Sequence, residues 1–217
     1  HSPFTIHHSP FTIHHSPFTA GKAMLPPAYF VRHGQTDWNV EGRLQGQAET
    51  DINETGRAQA ERNGRRLAEL IDPAGFDFVA SPMRRTCHTM ELVRTAMGLP
   101  ADDYRVDTRL LEVHFGDWQG LTLAEVEVRY PGTTAARAAD KWGFLPPGEE
   151  AESYAMLSAR VRPWLDGLRQ STVCVTHGGV VRAIFHLVAG LSGEEAARMN
   201  VPQDRVLELR DGRLTWF

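Results

Sequence analysis

Apolar and polar positions change over in blocks along most of this chain. A short apolar run, Ala28 to Val31, breaks into Arg32-His33-Gly34 and a polar turn through Gln35, Thr36, Asp37, Trp38 and Asn39. Glu41 to Gly46 reads as a turn-rich polar loop. Asn53-Glu54-Thr55-Gly56 opens a helix, with Asn53 placed to accept a first-turn amide as N-cap. Ala60, Leu67, Leu70 and Ile71 share one face at helical spacing, and Asp72-Pro73-Ala74-Gly75 ends that run. Phe76 to Ala80 predicts a second strand. It leads through Ser81-Pro82-Met83-Arg84-Arg85-Thr86 into a helix ending near Met97.

Tyr104 to Val106 predicts a short third strand, and Arg109 to Gly120, rich in Gly and aromatic residues, an ordered loop. Residues 121 to 150 read as a helical insertion with a turn at Pro147-Gly148. Ala151 to Leu168 predicts a long amphipathic helix, with Tyr154, Leu157, Val161, Trp164, Leu165 and Leu168 near one face and a kink at Pro163. Ser171 to Thr176 is almost continuously β-branched or apolar, as in a strand buried on both faces. It ends in His177-Gly178-Gly179, and a helix follows from Val180 to Ala189. Arg205 to Arg210 and Arg213 to Phe217 alternate around Asp211-Gly212, a hairpin signal. Strands alternating with helices predict a single-domain, three-layer α/β/α fold. Its sheet is mostly parallel, covered on both faces, with the hairpin as an antiparallel edge.

The first residues follow a different rule. His1-Ser2-Pro3-Phe4-Thr5-Ile6-His7 is repeated at His8 to His14 and begins again at His15. Proline in every unit breaks a helical heptad. A cloning-derived leader, a natural low-complexity leader and a His-rich metal-binding tract are the three readings, in that order. The expected organisation is a leader over residues 1–23 and one domain over 24–217, starting at Met24.

The 217 residues suffice for one domain with a sizeable core, and the net charge of -4 carries no signature of a nucleic-acid or membrane surface. The two cysteines, Cys87 and Cys174, make no disulfide framework, so a reducing, cytoplasmic setting is expected. No apolar stretch approaches the roughly 18 to 20 residues of a membrane span, and no secretory signal is visible.

Four fragments carry the chemistry: Arg32-His33-Gly34, Arg84-Arg85, Glu112 and His177-Gly178-Gly179. In a parallel sheet the strand C-termini fall on one edge, which gathers these distant residues. Guanidiniums and imidazoles suit an anionic oxygen ligand, and a carboxyl beside them can move a proton. Two His, two or more Arg and one Glu describe phosphoryl transfer without a metal. Cations neutralise the phosphoryl oxygens, one His attacks phosphorus, and the Glu protonates the leaving oxygen. No Asp/His cluster with metal-ligand spacing occurs outside the leader.

Arg32-His33-Gly34-x-Thr36-x-Trp38-Asn39 resembles the signature of the histidine phosphatase superfamily, which includes the phosphoglycerate mutase-like phosphatases. Ser81-Pro82-Met83-Arg84-Arg85 resembles its Ser-Pro-Leu-x-Arg segment. Leu111-Glu112 with Phe115-Gly116-Asp117-Trp118-Gln119-Gly120 resembles its acid-bearing loop, and Val175 to Gly179 its second-histidine loop. The resemblance spans residues 28 to 185 and implies a phosphoglycerate mutase-like fold. It implies His33 as the nucleophile that becomes phosphohistidine. Arg32, Arg85 and His177 would hold the phosphoryl oxygens, helped by Asn39 and the backbone N–H of Gly178. Glu112 would donate a proton, then take one from water. His33 must then be neutral, whereas His177 is more useful protonated. Arg84 reads as a solvated neighbour. His88, His114 and His186 read as structural, and Trp142, Trp164 and Trp216 as packing aromatics. One departure stands out: Glu149-Glu150-Ala151-Glu152-Ser153 replaces a Gly-Gly-Glu-Ser pattern, with the glycine lost.

Within that family the short insertion and the Gly-Asp-Trp-Gln-Gly loop favour a phosphatase over a mutase. The expected partner is a small-molecule phosphomonoester, with no nucleic acid, no membrane and no cofactor; a homodimer is compatible. The alternative is a cofactor-dependent phosphoglycerate mutase, which would need 2,3-bisphosphoglycerate. A non-catalytic phospho-ligand binder ranks lower, since His33 and Glu112 are both present.

Overall fold

A computed structural model describes residues 24–217; the repeat and the readings attached to it lie outside the described residues. The strands are β1 (Ala28–Arg32), β2 (Asp77–Ala80), β3 (Arg105–Val106), β4 (Thr172–Thr176), β5 (Val206–Arg210) and β6 (Arg213–Trp216). They form one sheet in the order β3-β2-β4-β1-β5-β6. β4 runs parallel to both β1 and β2, and β3 parallel to β2. β5 and β6 are the antiparallel edge. Their turn uses Asp211 at φ +51° and Gly212 at φ +72°, the two positive angles a tight two-residue hairpin demands.

Every residue of β4 is buried, as its apolar run predicts. Side chains alternate between two helical layers. Phe30 and Cys174 pack on the side of α6 (Tyr154–Asp166) and α7 (Gly178–Ala189), through Leu157, Val161 and Ile184. Tyr29, Val31, Val173 and Val175 pack on the side of α2 (Glu54–Leu70) and α3 (Arg84–Ala96), through Leu67, Met90 and Val93. Each fully buried large apolar side chain contributes roughly 1.5–3 kcal/mol, so these layers hold the sheet flat against its helices.

The register decides where the chemistry goes. Arg32 stands opposite Thr176, and Ala80 opposite Val175. The ladder runs one step further: His33 N–H donates to the Thr176 carbonyl at 2.9 Å, and Ser81 N–H to the Val175 carbonyl at 3.0 Å. His33, Ser81 and His177 therefore leave the sheet side by side.

Helix boundaries follow caps more closely than apolar spacing. α2 starts where expected, since Asn53 Oδ1 accepts the Gly56 amide at 3.0 Å. α6 starts at Tyr154, not Ala151, because Ser153 Oγ accepts the Met156 amide at 3.2 Å. α7 starts at Gly178, two residues earlier than its apolar run, and it continues from the extended backbone of His177. α6 passes through Pro163 as one continuous helix. The insertion forms α4 (Leu123–Arg129) and α5 (Thr133–Ala139). Two short helices go beyond the apolar pattern: α1 (Asp37–Glu41) and α8 (Gly193–Arg198), each closed by a capping box, Thr36 with Asn39 and Ser192 with Glu195. The three tryptophans pack as expected: Trp164 edge-on to Phe30, Trp142 stacked on Tyr154, and Trp216 beside Phe185.

One backbone contact ties α2 to the end of β1. A Cβ on Gly34 would lie 2.3 Å from the Gly56 carbonyl oxygen, and one on Gly56 would lie 2.3 Å from the Gln35 carbonyl oxygen. Two glycines face each other because nothing larger fits. In an open helix, alanine would be favoured over glycine by up to about 1 kcal/mol. Here backbone would have to move, which costs about 1–3 kcal/mol. Gly56→Ala is expected to lower stability in urea unfolding; a stabilised variant would show that the two segments separate freely.

Candidate active site

Three strand exits and one loop build the site. His33 is almost fully buried, at 3% exposure. Its Nδ1 donates to the Gly34 carbonyl at 2.8 Å, and a carbonyl can only accept, so Nδ1 carries the proton. Nε2 is left with the free lone pair. The Gly34 amide donates to Thr89 Oγ1 at 3.1 Å, which steadies the loop behind the ring. The His33 and His177 rings stand 5.2 Å apart, edge to face.

Of the two guanidiniums expected at the site, Arg85 is inside the protein and Arg32 is half-buried. Arg85 is fully buried; its Nη2 donates to the Gly46 carbonyl at 2.6 Å and its Nη1 to the Ala48 carbonyl at 2.9 Å. Arg32 Nη1 donates to the Val201 carbonyl at 2.7 Å. In each arginine the buried Nε has no partner among the described residues, and neither has His177 Nδ1. His177 Nε2 lies 2.8 Å from Ser81 Oγ; with the hydroxyl as donor, the ring proton sits on Nδ1. The site thus combines a free imidazole nitrogen with three buried donors that protein atoms leave unpaired. An anion with several oxygens satisfies all three donors.

Glu112 arrives from the loop after β3. Its Oε2 accepts the Gly179 amide at 3.0 Å and its Oε1 accepts the Val113 amide at 2.9 Å. A Cβ on Gly179 would lie 2.0 Å from Glu112 Oε1, so the glycine is what admits the carboxylate to the α7 N-terminus. A Cβ on Gly178 would lie 3.4 Å from Arg32 Nε, which places the Gly178 backbone against that guanidinium. Asn39 is held at the margin. Its Oδ1 accepts the Thr36 amide at 3.1 Å and Gln203 Nε2 at 3.1 Å, leaving Nδ2 as its donor.

The electrostatics depart from the sequence expectation in one respect. His33 is held well below its ordinary range by burial first, then by Arg85 and Arg32. His177, expected to be the charged partner, is held down too, by burial and then by Arg85, His33 and Arg32. The protein groups alone make both imidazoles neutral; opposed protonation states are not built into the resting pocket. Arg85 itself is lowered to about 10, chiefly by burial, and remains charged at neutral pH.

His33, His177, Arg32, Arg85, Glu112 and Gly178 therefore come together, and Asn39 borders them. The residues read as bystanders sit apart. Arg84 is exposed and pairs with Asp51 at 2.9 Å, and His88 Nδ1 lies 3.0 Å from the same carboxylate. His114 Nδ1 accepts the Gly116 amide at 3.0 Å, and His186 Nδ1 donates to the Leu191 carbonyl at 2.8 Å.

Three supporting residues escaped the sequence reading. Ser81 touches His177, although it opens the quoted Ser-Pro segment. Gln203 Nε2 donates to the His33 carbonyl at 3.0 Å as well as to Asn39, a link visible only once β5 is in place. Arg160, on α6, donates to the carbonyls of Arg109, Leu111 and Glu112 and pairs bidentately with Glu152 through Nε and Nη2. It straps the acid loop to the helix. Glu152 Oε2 also accepts the His114 amide, so this part of the divergent Glu149–Ser153 segment holds the loop. Glu150 takes φ +60°, a glycine-like conformation at the position where glycine is lost. Among the described residues no group of three or more His, Cys, Asp or Glu is arranged to hold a metal ion, and no helix is long and apolar enough to cross a membrane.

Known proteins place the chain. It is 39% identical over 171 residues to a glucosyl-3-phosphoglycerate phosphatase of Mycobacterium tuberculosis, covering 71% of each chain. It is 28% identical over 207 residues to a 2,3-bisphosphoglycerate-dependent phosphoglycerate mutase of Hamiltonella defensa, covering 79% of this chain and 81% of the other. The structure of the mycobacterial glucosyl-3-phosphoglycerate phosphatase complexed with VO3 superposes with a TM-score of 0.71 at 30% identity, over 88% of this chain and 96% of that one. The sequence pattern of the histidine phosphatase superfamily (branch 1) matches residues 28–215, nearly the whole described chain, and the protein belongs to that family.

Proposed function

We propose that this chain hydrolyses phosphomonoesters through a phosphohistidine on His33, without a metal ion. One observation carries the reading. The His33 ring is fixed by its Nδ1 bond to Gly34, so Nε2 is the free atom, and burial first, then the Arg85 and Arg32 guanidiniums, keep it unprotonated.

In this scheme Arg32, Arg85 and His177 hold the phosphoryl oxygens through their unpaired buried donors. The Gly178 amide and Asn39 Nδ2 complete the shell. Nε2 attacks phosphorus in line; the P–N bond forms as the bond to the ester oxygen breaks, and Glu112 gives that oxygen a proton. Glu112 then takes a proton from water, the water oxygen attacks phosphorus, and the P–N bond breaks to release inorganic phosphate. Two guanidiniums supply the charge neutralisation that a metal supplies elsewhere. A bound dianion reverses the balance at His177 and draws a second proton onto that ring. The substrate is a small molecule; nucleic acid, membrane and cofactor have no place in the scheme, and a homodimer is compatible with it. The free cysteines Cys87 and Cys174 suit a reducing, cytoplasmic setting.

A mutase is the second reading, favoured by the mutase relative. It would load His33 from 2,3-bisphosphoglycerate and return the phosphoryl group to another hydroxyl. The higher identity to a phosphatase and an insertion of only two short helices support hydrolysis.

A panel of phosphomonoesters assayed beside a mutase assay separates the two. His33→Ala should lose at least about 10³-fold in turnover and trap no acid-labile phosphate on the protein; wild-type turnover in that variant would refute covalent catalysis. Glu112→Gln should cost about 10²–10⁴-fold with an alkyl phosphate. With p-nitrophenyl phosphate, whose leaving group needs no proton, the cost should be far smaller. Equal losses on both esters would remove Glu112 as proton donor.

The lowered histidines also link stability to pH. Below about pH 6.5 the unfolded chain binds protons that the folded His33 and His177 refuse, so stability falls with pH until the folded groups titrate. Each contributes a slope of up to about 1.4 kcal/mol per pH unit over that window. Replacing His177 by Gln should flatten the fall between pH 6.5 and 5.5 in urea unfolding. An unchanged slope would mean that His177 is already charged in the fold.

A further inference from the structure

Arg160 uses its guanidinium differently from Arg32 and Arg85. A guanidinium carries five N–H groups. In Arg160 all five have a partner within the protein. Nε donates to Glu152 Oε1 at 2.9 Å, and Nη2 to Glu152 Oε2 at 2.7 Å and to the Glu112 carbonyl at 3.3 Å. Nη1 donates to the Arg109 carbonyl at 2.9 Å and to the Leu111 carbonyl at 3.1 Å. Arg32 and Arg85 each keep a buried Nε unpaired among the described residues. A saturated guanidinium has no donor left for a phosphoryl oxygen; what it holds is the protein itself.

Its five acceptors surround the loop of the proton donor. Three are backbone carbonyls at Glu112 or just before it. The Glu152 carboxylate serves the loop just after it: Oε2 also accepts the His114 amide at 3.2 Å, and the Glu152 amide donates to the His114 carbonyl at 2.8 Å. The Glu112 carbonyl has a second donor, Gln47 Nε2 at 3.0 Å. Gln47 stands between Gly46 and Ala48, whose carbonyls accept the Arg85 guanidinium at 2.6 and 2.9 Å. One backbone carbonyl therefore ties the acid both to α6 and to the loop that holds a phosphoryl-binding arginine. The Glu112 carboxylate is itself bonded to the amides of Gly179 and of Val113, the next residue, so its position follows its own backbone.

We infer that Arg160 is a positioning residue for proton transfer: with Glu152 as its counter-charge, it sets where the Glu112 carboxyl stands against the phosphoryl pocket, so that its proton reaches the leaving oxygen. Arg160 touches no reacting atom. The inference rests on the hydrolase reading above. It also accounts for arginine at this position. A lysine has three N–H groups and no planar fork, so it keeps the charge but leaves at least two of the five acceptors without a donor. A displacement of about 1 Å at a reacting centre can cost about 10²-fold in rate, so a strap of this kind has kinetic consequences.

Leaving-group dependence reads this role out, because only a poor leaving group needs the proton. The comparison is between the alkyl phosphate that the wild type turns over fastest and p-nitrophenyl phosphate. It is made in kcat/KM, which ends at the phosphoenzyme and leaves out the hydrolytic step. Arg160→Met should lose about 10- to 10²-fold on the alkyl ester and less than about threefold on p-nitrophenyl phosphate. Arg160→Lys should show the same split, since charge without the fork does not restore the carbonyl contacts. Combined with Glu112→Gln, Arg160→Met should add no further loss on the alkyl ester, because both changes remove one proton transfer. Equal losses on the two esters, or losses that multiply in the double variant, would make Arg160 a structural residue only and leave the hydrolase reading intact. Should Arg160→Met not fold, Glu152→Gln decides: the same split in a smaller loss sustains the inference, and no split overturns it. A wild type that turns over no alkyl phosphate gives Glu112 no oxygen to protonate and overturns both readings.

Discussion

Positive charge buried at one edge of the sheet is the condition on which the rest of this structure depends. Arg85 is wholly enclosed and Arg32 is half-buried, and among the described residues neither faces a carboxylate at ion-pair distance. A buried charge without compensation is costly. The fold meets that cost with carbonyls, those of Gly46, Ala48 and Val201, which take up part of each guanidinium and leave Nε unpaired. The two imidazoles beside them are held neutral by burial first and by these cations second. Neutrality of His33 therefore needs no separate device. Burial does most to keep the neighbouring nitrogen unprotonated, and the groups that attract an anion add to it. Binding and reactivity are two consequences of one charge distribution.

The carboxylate is placed by a different means. Glu112 is not salt-bridged to the arginines; it is tied to backbone, at the Gly179 and Val113 amides. The loop carrying it is tied again by Arg160, which draws three of its carbonyls toward α6, and by Gln47 at the Glu112 carbonyl. A carboxylate bonded to a guanidinium would cancel the field that the phosphoryl group requires. Anchoring it on amides keeps it near the cations without neutralising them. The tolerance is narrow, since a single methyl on Gly179 would lie far inside van der Waals contact with its oxygen.

Much of this was legible in the chain because the relevant signals are local. The Phe30-Val31-Arg32-His33-Gly34 run announces a strand that ends in chemistry, and parallel pairing does the gathering. Asp211-Gly212 announces its turn. Other features needed the third dimension. Ser81 and Gln203 matter only through residues 96 and 170 positions away. Charge on His177 looked useful from chemistry alone, but burial among cations decides its resting state. The missed helices α1 and α8 are too short for apolar periodicity, yet Thr36 with Asn39 and Ser192 with Glu195 carry capping signals. Glu150 is harder: nothing in a glutamate predicts φ +60°, and the backbone there follows the turn while the side chain departs from it.

The cations of the site and those of the insertion differ in what holds them. Arg32 and Arg85 stand where β1 and β2 end, so they are as rigid as the sheet. Arg137 and Lys141 sit on or just beyond α5, a helix of seven residues none of which is fully buried. Its holds on the body are few: Arg137 over the Phe115 ring, the Ala138 carbonyl accepting from Arg198, and, just beyond it, Trp142 stacked on Tyr154 and packed on His186. Substitution on α5 can change charge and shape at the surface without touching the sheet, because little of the core depends on it. Change at Arg85 has no such freedom; its guanidinium fills enclosed space and its removal would leave two carbonyls unpaired. A family built this way can keep one phosphoryl chemistry at the strand ends and vary its substrates through the insertion. That one chain resembles both a phosphatase and a mutase is the expected outcome of that division.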